Sequence, residues 1–272
     1  MNANISEIET ESGFVKRLSL VSVGSTNDYA MNLLRTENMD LETVIVAESQ
    51  NNGKGQRGKT WLSSPGKDLC MSWILKSPPH PPAVFNMAAA LGVFDGLRGV
   101  LGNSDISIKW PNDIIITIDS VPRKISGLLI ENNWRGEVWA AAIVGIGVNV
   151  GDVKDKRVLP EFNLPAISVF DVLSENISPS SLELLILNSL QKRINILRQS
   201  GGIKSTVSEF NSKLYGANSE RDYTVNEKVY KGILHKVEED GRGVFSWSKK
   251  IKSNNIQNPE THLHSSEVIW SW

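Results

Sequence analysis

At 272 residues and 30.0 kDa the chain has the length for one large domain or two unequal ones around a substantial core. Apolar residues at 40% and charged residues at 22% exclude a disordered or fibrous chain. Twenty-nine Lys and Arg against 30 Asp and Glu leave a net charge of −1, which excludes a surface built throughout to hold nucleic acid. The single cysteine, Cys70, cannot make an internal disulfide or a Cys-rich zinc site and reads as a small buried thiol. The first thirteen residues are polar and acidic, so no secretory signal is expected. The longest uncharged apolar stretch, Val138–Gly151, has 14 residues and is too short for a membrane helix, so the chain reads as cytoplasmic with no membrane partner.

Residues 16–23 alternate polar and apolar and predict a strand. Ser25-Thr26-Asn27-Asp28, a run of good cap residues, predicts a short helix through Tyr29, Ala30, Leu33 and Leu34. The β-branched run 43–48 predicts a buried strand. A polar, Gly-rich connection over 49–67 follows, then a strand over 68–76 closed by a proline cluster. Val84, Met87, Leu91, Phe94, Leu97 and Leu101 mark one helical face. Strand-like runs at 106–109, 113–118, 124–131 and 137–148 have no helix between them, which favours an antiparallel or mixed sheet. Ser180-x-x-Glu183 reads as a capping box before an amphipathic helix at Leu182, Ile186, Leu190, Ile194 and Leu197, and a second helix is expected to reach Leu214. Runs at 222–230, 231–238, 242–248 and 266–270 then suggest a small all-β module.

Gly53-Lys54-Gly55-Gln56-Arg57-Gly58-Lys59-Thr60 matches both a dinucleotide fingerprint and a P-loop. Each requires a helix opening at the last glycines, whereas Trp61-Leu62-Ser63-Ser64-Pro65-Gly66 stops any helix after about one turn. The P-loop reading keeps one support, residues 114–119 as an Asp-terminated strand. The physical content that survives is Lys54, Arg57 and Lys59 on a glycine frame with no neighbouring acid, suited either to neutralising phosphates or to an ordinary solvated loop.

The loop is followed in order by Lys109-Trp110-Pro111-Asn112-Asp113, by Arg123-Lys124-Ile125-Ser126-Gly127-Leu128-Leu129-Ile130-Glu131, and by Gly145-Ile146-Gly147-Val148-Asn149. Together with Ser25-Thr26-Asn27 and Gln50 this ordered set resembles the biotin protein ligases, strongly over residues 18–150, less through 215, and only in texture beyond. Lipoate ligases and transferases, which share the catalytic fold, should lack the loop and the Lys-Trp-Pro-Asn-Asp segment. The resemblance implies an α+β fold: a mixed, largely antiparallel sheet with flanking helices, like class II aminoacyl-tRNA synthetases, over residues 1–215. A small SH3-like β-barrel over 216–272 would follow.

It further implies ATP-dependent conversion of biotin to biotinyl-AMP, with Mg²⁺ bridging phosphate oxygens, and transfer to a lysine of the biotin carboxyl carrier protein of acetyl-CoA carboxylase. Lys124 would hold the biotin carboxylate and the α-phosphate together. Arg57, Lys54 and Lys59 would neutralise the phosphates, on a frame that includes Gly55, Gln56 and Gly58. Asp113 would accept a proton from the incoming lysine or orient it. Ser25, Thr26, Asn27, Gln50 and Gly53 fall at biotin-binding positions, the first two and Gln50 at the ureido head. Gly127, Leu128 and Leu129 would take the valeryl chain. Asn112 and Asn149 suit the adenine edge or ribose, and Trp61 would close over the adenine or pack the loop. No metal-ligating residue is assigned. The resemblance leaves a homodimer open.

Some members carry an N-terminal DNA-binding domain and repress transcription. Only about 17 residues precede the first expected catalytic strand here, so no nucleic-acid partner is expected. Two other readings stand beside the ligase: a non-catalytic ligand sensor, which would have no use for Lys124, Asp113 and the loop cations together, and a P-loop NTPase. One departure bears on chemistry: Lys54, Gln56 and Lys59 stand where the family loop commonly has arginines, so charge is lost at Gln56 and the bidentate fork at the two lysines. Gln56→Arg is therefore expected to keep activity and to retain the acyl-adenylate longer, as read by release of labelled intermediate; faster escape contradicts this.

Overall fold

The computed structural model describes residues 3–36, 42–152, 164–248 and 260–271. Eight strands form one sheet: β1 (Asn4–Thr10), β2 (Gly13–Val23), β3 (Thr43–Gln50), β4 (Leu69–Lys76), β5 (Ile106–Lys109), β6 (Asp113–Ile118), β7 (Val121–Arg135) and β8 (Val138–Val148), in the order β1-β2-β3-β4-β8-β7-β6-β5. Only the β2/β3 pair is parallel, joined through helix α1 (Thr26–Thr36) as a parallel connection requires. The remaining pairs are antiparallel. The sheet is thus mixed and largely antiparallel, as the uninterrupted strand runs implied. β4 and β8 occupy its centre and are nearly continuous apolar runs because both of their faces are covered.

Helices α2 (Pro82–Leu101) and α4 (Pro179–Leu197) cover one face, with α5 (Gly202–Ser212) packed against both, while α1 covers part of the other over Leu18, Leu20, Ile45, Ile74 and Ile143. The expected one-sided α2 is instead buried on nearly all sides, Ala88, Ala89, Ala90 and Val93 included, because α4 flanks it against the sheet. That packing is close: a Cβ on Gly92 would lie 2.8 Å from the Leu190 Cα, so only hydrogen fits there.

Four readings of the sequence change. The strand expected over 16–23 is not the first: β1 precedes it and pairs with β2 as an edge strand, Glu7 opposite Lys16. The capping box is not at Ser180 and Glu183. Ser178 caps α4 by accepting from the Ser181 N–H, with Pro179 in the first turn. Glu183 is buried one turn in, where it takes a two-pronged bond from Arg17 of β2 at 2.8 and 2.9 Å. A true capping box sits unforeseen at Ser168 and Asp171, opening the short helix α3 (Val169–Leu173). In the C-terminal module the first two strands are β9 (Glu220–Val225) and β10 (Lys228–Val237), turned at Asn226 and Glu227 with positive φ, not at 230. β11 (Gly243–Trp247), β12 (Glu260–Leu263) and β13 (Val268–Trp270) complete a five-stranded antiparallel sheet ordered β12-β11-β10-β9-β13.

This second sheet does not stand apart. The Trp270 indole N–H donates to the Trp110 carbonyl at 3.1 Å, Phe245 packs 6.1 Å from the Trp110 ring, and the apolar cluster under the first sheet continues into Tyr223, Phe245 and Trp270. Pro82–Leu101 is long and apolar enough by composition to cross a membrane, but here it is the core helix.

Gly92→Ala should lower unfolding stability by about 1–3 kcal/mol through overpacking. Gly99→Ala on the same helix, whose Cβ meets nothing within 4 Å, should be neutral or stabilising. Denaturant unfolding of the two variants checks this, and equal tolerance at both positions contradicts it.

Candidate active site

The open part of the α1 face carries two joined cavities. The smaller is lined by Ser25, Thr26, Asn27, Gln50, Lys54, Gly127, Leu128, Leu129, Gly145, Ile146 and Gly147. Its polar end is an interlocked network. The Thr26 N–H and hydroxyl both donate to Gln50 Oε1, at 2.8 and 3.1 Å. The Ser72 hydroxyl of β4 lies 2.7 Å from Thr26 Oγ1 and 2.6 Å from Asn27 Oδ1. Asn27 Nδ2 donates to Glu131 Oε2 at 2.7 Å and to the Leu129 carbonyl at 3.2 Å. Strand alternation brings this about: β3, β4 and β7 each send one polar side chain to the face where α1 begins. Leu128, Leu129 and Ile146 make the apolar wall. A head group with polar edges and an apolar tail fits such a slot.

The larger cavity, about 300 Å³, runs from the glycine loop to the C-terminal sheet. Among its walls are Arg57, Lys59, Leu62, Lys109, Trp110, Asp113, Asn149, Ile269 and Trp270. Gly55, Gln56, Trp61, Asn112 and Lys124 line both cavities, so Lys124 stands where they meet.

The loop closes on itself rather than opening a helix. The Gly55 N–H donates to the Lys59 carbonyl at 2.7 Å, and the Trp61 N–H to the Gly53 carbonyl at 2.9 Å. A short 3₁₀ turn at Gln56–Gly58 carries Arg57 and Gly58 at φ of 57° and 73°. β4 follows, so neither the P-loop nor the dinucleotide reading has its helix. Gly53 is buried against the Trp61 carbonyl.

The expectation that the loop cations have no neighbouring acid is corrected at Lys54. Its ammonium is 2.5 Å from Asp28, because α1 starts beside the end of β3, and it lines the smaller cavity rather than the larger one. Arg57 and Lys59 remain on the larger cavity.

Lys124 owes its position to a β-bulge. The β6/β7 register pairs Ile114 with Ser126 and Ile115 with Lys124, so Ile125 is the extra residue. The bulge puts Lys124 on the same face as Gly127, where a Cβ would fall 3.0 Å from Lys124 Nζ. The Lys124 backbone is then stitched to 165–167: its N–H donates to the Pro165 carbonyl at 2.8 Å, and its carbonyl accepts from the Ile167 N–H at 2.9 Å. Asn149 Nδ2 spans the Lys124 and Ile167 carbonyls at 3.2 and 3.1 Å, and Asn112 Nδ2 donates to the Leu128 carbonyl at 2.6 Å. The amide NH₂ groups of both asparagines therefore hold the frame.

The Lys124 ammonium is 2.7 Å from Asp113 Oδ1, and Lys109 holds Oδ2 at 3.0 Å. Burial opposes ionisation of Asp113, but the two ammoniums outweigh it and hold the carboxyl well below the usual carboxylate range. So low a carboxylate is a poor proton acceptor, which favours the orienting role over the basic one. Trp61 lies under Lys124, with Nζ 5.5 Å from the ring. A Cβ on Gly147 would fall 2.1 Å from the indole, so glycine there makes the seat for Trp61. The Trp61 indole N–H is buried without a partner between the two cavities, a donor waiting for an acceptor.

Of the residues expected at the site, all but Gly53 and Gly58 line one or both cavities; Gly53 packs beside Gln50 and Trp61, and Gly58 lies in the loop between Arg57 and Lys59. Ser72, Glu131, Asp28, Lys109, Gly147 and Trp270 were not foreseen as parts of it. Lys109 and Gly147 stood inside motifs already singled out; Ser72 and Trp270 left no local signal, since only sheet pairing and the docking of the second sheet bring them in.

The family described as the biotin/lipoate A/B protein ligase family matches residues 20–149. The bifunctional ligase/repressor BirA of Salmonella typhimurium is 30% identical over 144 residues, 52% of this chain and 42% of that protein. A biotin–[acetyl-CoA-carboxylase] ligase of Paracoccus denitrificans is 28% identical over 170 residues, covering 61% and 68%. The chain spans about half or less of the length of the first BirA relatives. Among solved structures, the biotin protein ligase of Aquifex aeolicus in complex with biotin and ATP superimposes with a TM-score of 0.71 at 22% identity, covering 94% of this chain and 99% of that one, a likeness of fold. Residues 20–149 thus match the biotin/lipoate A/B protein ligase family, and the relatives similar to the chain are biotin ligases.

Proposed function

We propose that the protein activates biotin with ATP and transfers it to a lysine of an acceptor protein, the acceptor being the biotin carboxyl carrier protein of acetyl-CoA carboxylase. One observation carries the reading: a slot with a polar end and a cation-lined cavity meet at a single ammonium, Lys124. The relatives support it, since the Paracoccus protein is named a biotin–[acetyl-CoA-carboxylase] ligase and the Aquifex structure holds biotin and ATP.

In this reading the ureido head sits at Thr26, Gln50 and Ser25, and the carboxylate reaches Lys124. A carboxylate oxygen attacks the α-phosphorus and pyrophosphate leaves, giving the mixed anhydride. Two anions must approach, so preplaced positive charge supplies the main stabilisation, here from Lys124 with Arg57 and Lys59. The acceptor amine then attacks the acyl carbon and AMP leaves as the amide forms. Trp61 and the loop shield the anhydride from water. Among the described residues no group of three His, Cys, Asp or Glu side chains could hold a metal, and both Asp113 oxygens are held by lysines. The residues do not fit a protein-bound Mg²⁺, so any Mg²⁺ belongs to the nucleotide substrate. A cytoplasmic location, where ATP is available, is part of the same proposal.

The test is to incubate the protein with MgATP and biotin, then add a carrier domain. Biotin-dependent pyrophosphate release and a labelled carrier lysine are expected; ATP hydrolysis indifferent to biotin contradicts the reading. Lys124→Ala should cut biotinyl-AMP formation by about 10²–10³-fold, and near-normal turnover would show Lys124 misassigned. Gly147→Ala should unseat Trp61 and speed biotinyl-AMP release by roughly tenfold or more. Indole fluorescence and a trapping assay read this, and an unchanged release rate would remove the role given to Trp61.

A further inference from the structure

The charged side chains lining the larger cavity are the cations Arg57, Lys59, Lys109 and Lys124 and one acid, Asp113, the only one among the described lining residues. Asp113 is buried, its side chain 12% exposed, and its two oxygens are divided between two lysines from different strands. Lys109 comes from β5 and reaches Asp113 across the tight Trp110-Pro111-Asn112 turn. β5 is itself pinned: the Ile108 N–H donates to the Lys213 carbonyl at 2.8 Å, and its carbonyl accepts from the Tyr215 N–H at 2.9 Å. Lys109 lines the larger cavity and not the smaller, so its ammonium is close to the nucleotide end and remote from the head group.

This division has a consequence for Lys124. If Asp113 were its sole partner, turning Lys124 onto an incoming anion would leave a buried carboxylate unpaired, which strongly opposes the move. With Lys109 in place the carboxylate keeps one hydrogen-bonded ion pair throughout. The triad of two lysines and one aspartate also carries a net positive charge, so the site still attracts an anion while Asp113 is ionised.

We propose that Lys109 is a positioning residue for acyl-adenylate formation, holding Asp113 so that Lys124 can exchange its aspartate partner for the substrate anions. The inference rests on the functional reading above. It differs from a merely structural role for Lys109 because it acts on a rate and on a pH profile. The charged groups acting on Asp113 are Lys124 from β7 and Lys109 from β5; the loop cations Arg57 and Lys59 line the same cavity, and the C-terminal module contributes Ser265, Val268, Ile269 and Trp270, none charged. Activity that needs ionised Asp113 is lost as pH falls through its pKa. Two ammoniums hold that pKa down, so removing one moves the acid limb to higher pH.

The experiment compares Lys109→Met and Lys109→Arg with the unaltered protein in biotin-dependent pyrophosphate exchange across pH, with biotin affinity measured by calorimetry. Lys109→Met should bind biotin nearly as before and lose about ten- to a hundredfold in kcat, the size of one charge-assisted interaction. Its acid limb should move up, and Lys109→Arg should recover most of the rate. In an Asp113→Asn background, Lys109→Met should cost little more, since there is then no carboxylate to hold; this comparison also decides the matter if Lys109→Met is less stable. A rate and an acid limb unchanged by Lys109→Met overturn the inference, as does a full additional loss in the Asp113→Asn background. If the unaltered protein supports no biotin-dependent exchange, the functional reading fails first and the inference falls with it.

Discussion

The ion pair between Lys124 and Asp113 is the interaction around which the site is built. An ammonium 2.7 Å from a buried carboxylate fixes the meeting point of the two cavities. Three devices put it there. The bulge at Ile125 turns the side chain onto the cavity face, the bridge from Lys124 to Ala166 and the Asn149 amide hold its backbone, and Gly127 leaves room beside it. A straight strand would send Lys124 to the opposite face, against the core under α2.

The rest of the molecule separates rigidity from access. α2 and α4, packed closely enough to require Gly92, close one face of the sheet and make it unyielding. The other face is covered by α1 at one end and the glycine loop at the other, and the gap between them is the site. The loop keeps its shape through its own backbone bonds, with Lys54 tied to α1 through Asp28. That pair is largely exposed, so it contributes little to stability; its effect is to direct one loop cation toward the smaller cavity. The second sheet supplies the far wall of the larger cavity and is joined to it by the bond from Trp270 to Trp110.

Much of this was legible in the sequence because periodicity and turn chemistry are local. The strands from Ile106 to Val148, the helix starting at Thr26 and the refusal of the glycine loop to open a helix could all be read from neighbouring residues. The ordered motifs then gathered the residues expected at the site, and all but Gly53 and Gly58 line the two cavities. What could not be read is non-local. Glu183 looked like a cap residue, but it is buried and a half-buried arginine from β2 claims it. β1 is polar because an edge strand has one face and one edge in water. The turn at Asn226 and Glu227 carries no glycine or proline at its centre, so nothing marked it against the run around it. Lys54 looked free of acids in a stretch without any, and Asp28 reached it from the preceding helix. Ser72 and the bulge at Ile125 depend on pairing register, which no local pattern encodes.

The most direct measurement of the central claim is a crystal structure with a non-hydrolysable biotinyl-AMP analogue. The predicted result has the bicyclic head against Thr26 and Gln50, the adenosine in the larger cavity toward Trp110 and Trp270, and Lys124 Nζ within hydrogen-bond distance of the linking group while Asp113 stays on Lys109. An analogue lying wholly in one cavity, with Lys124 still on Asp113 and out of its reach, would contradict the claim that the two cavities are one active site joined at this lysine.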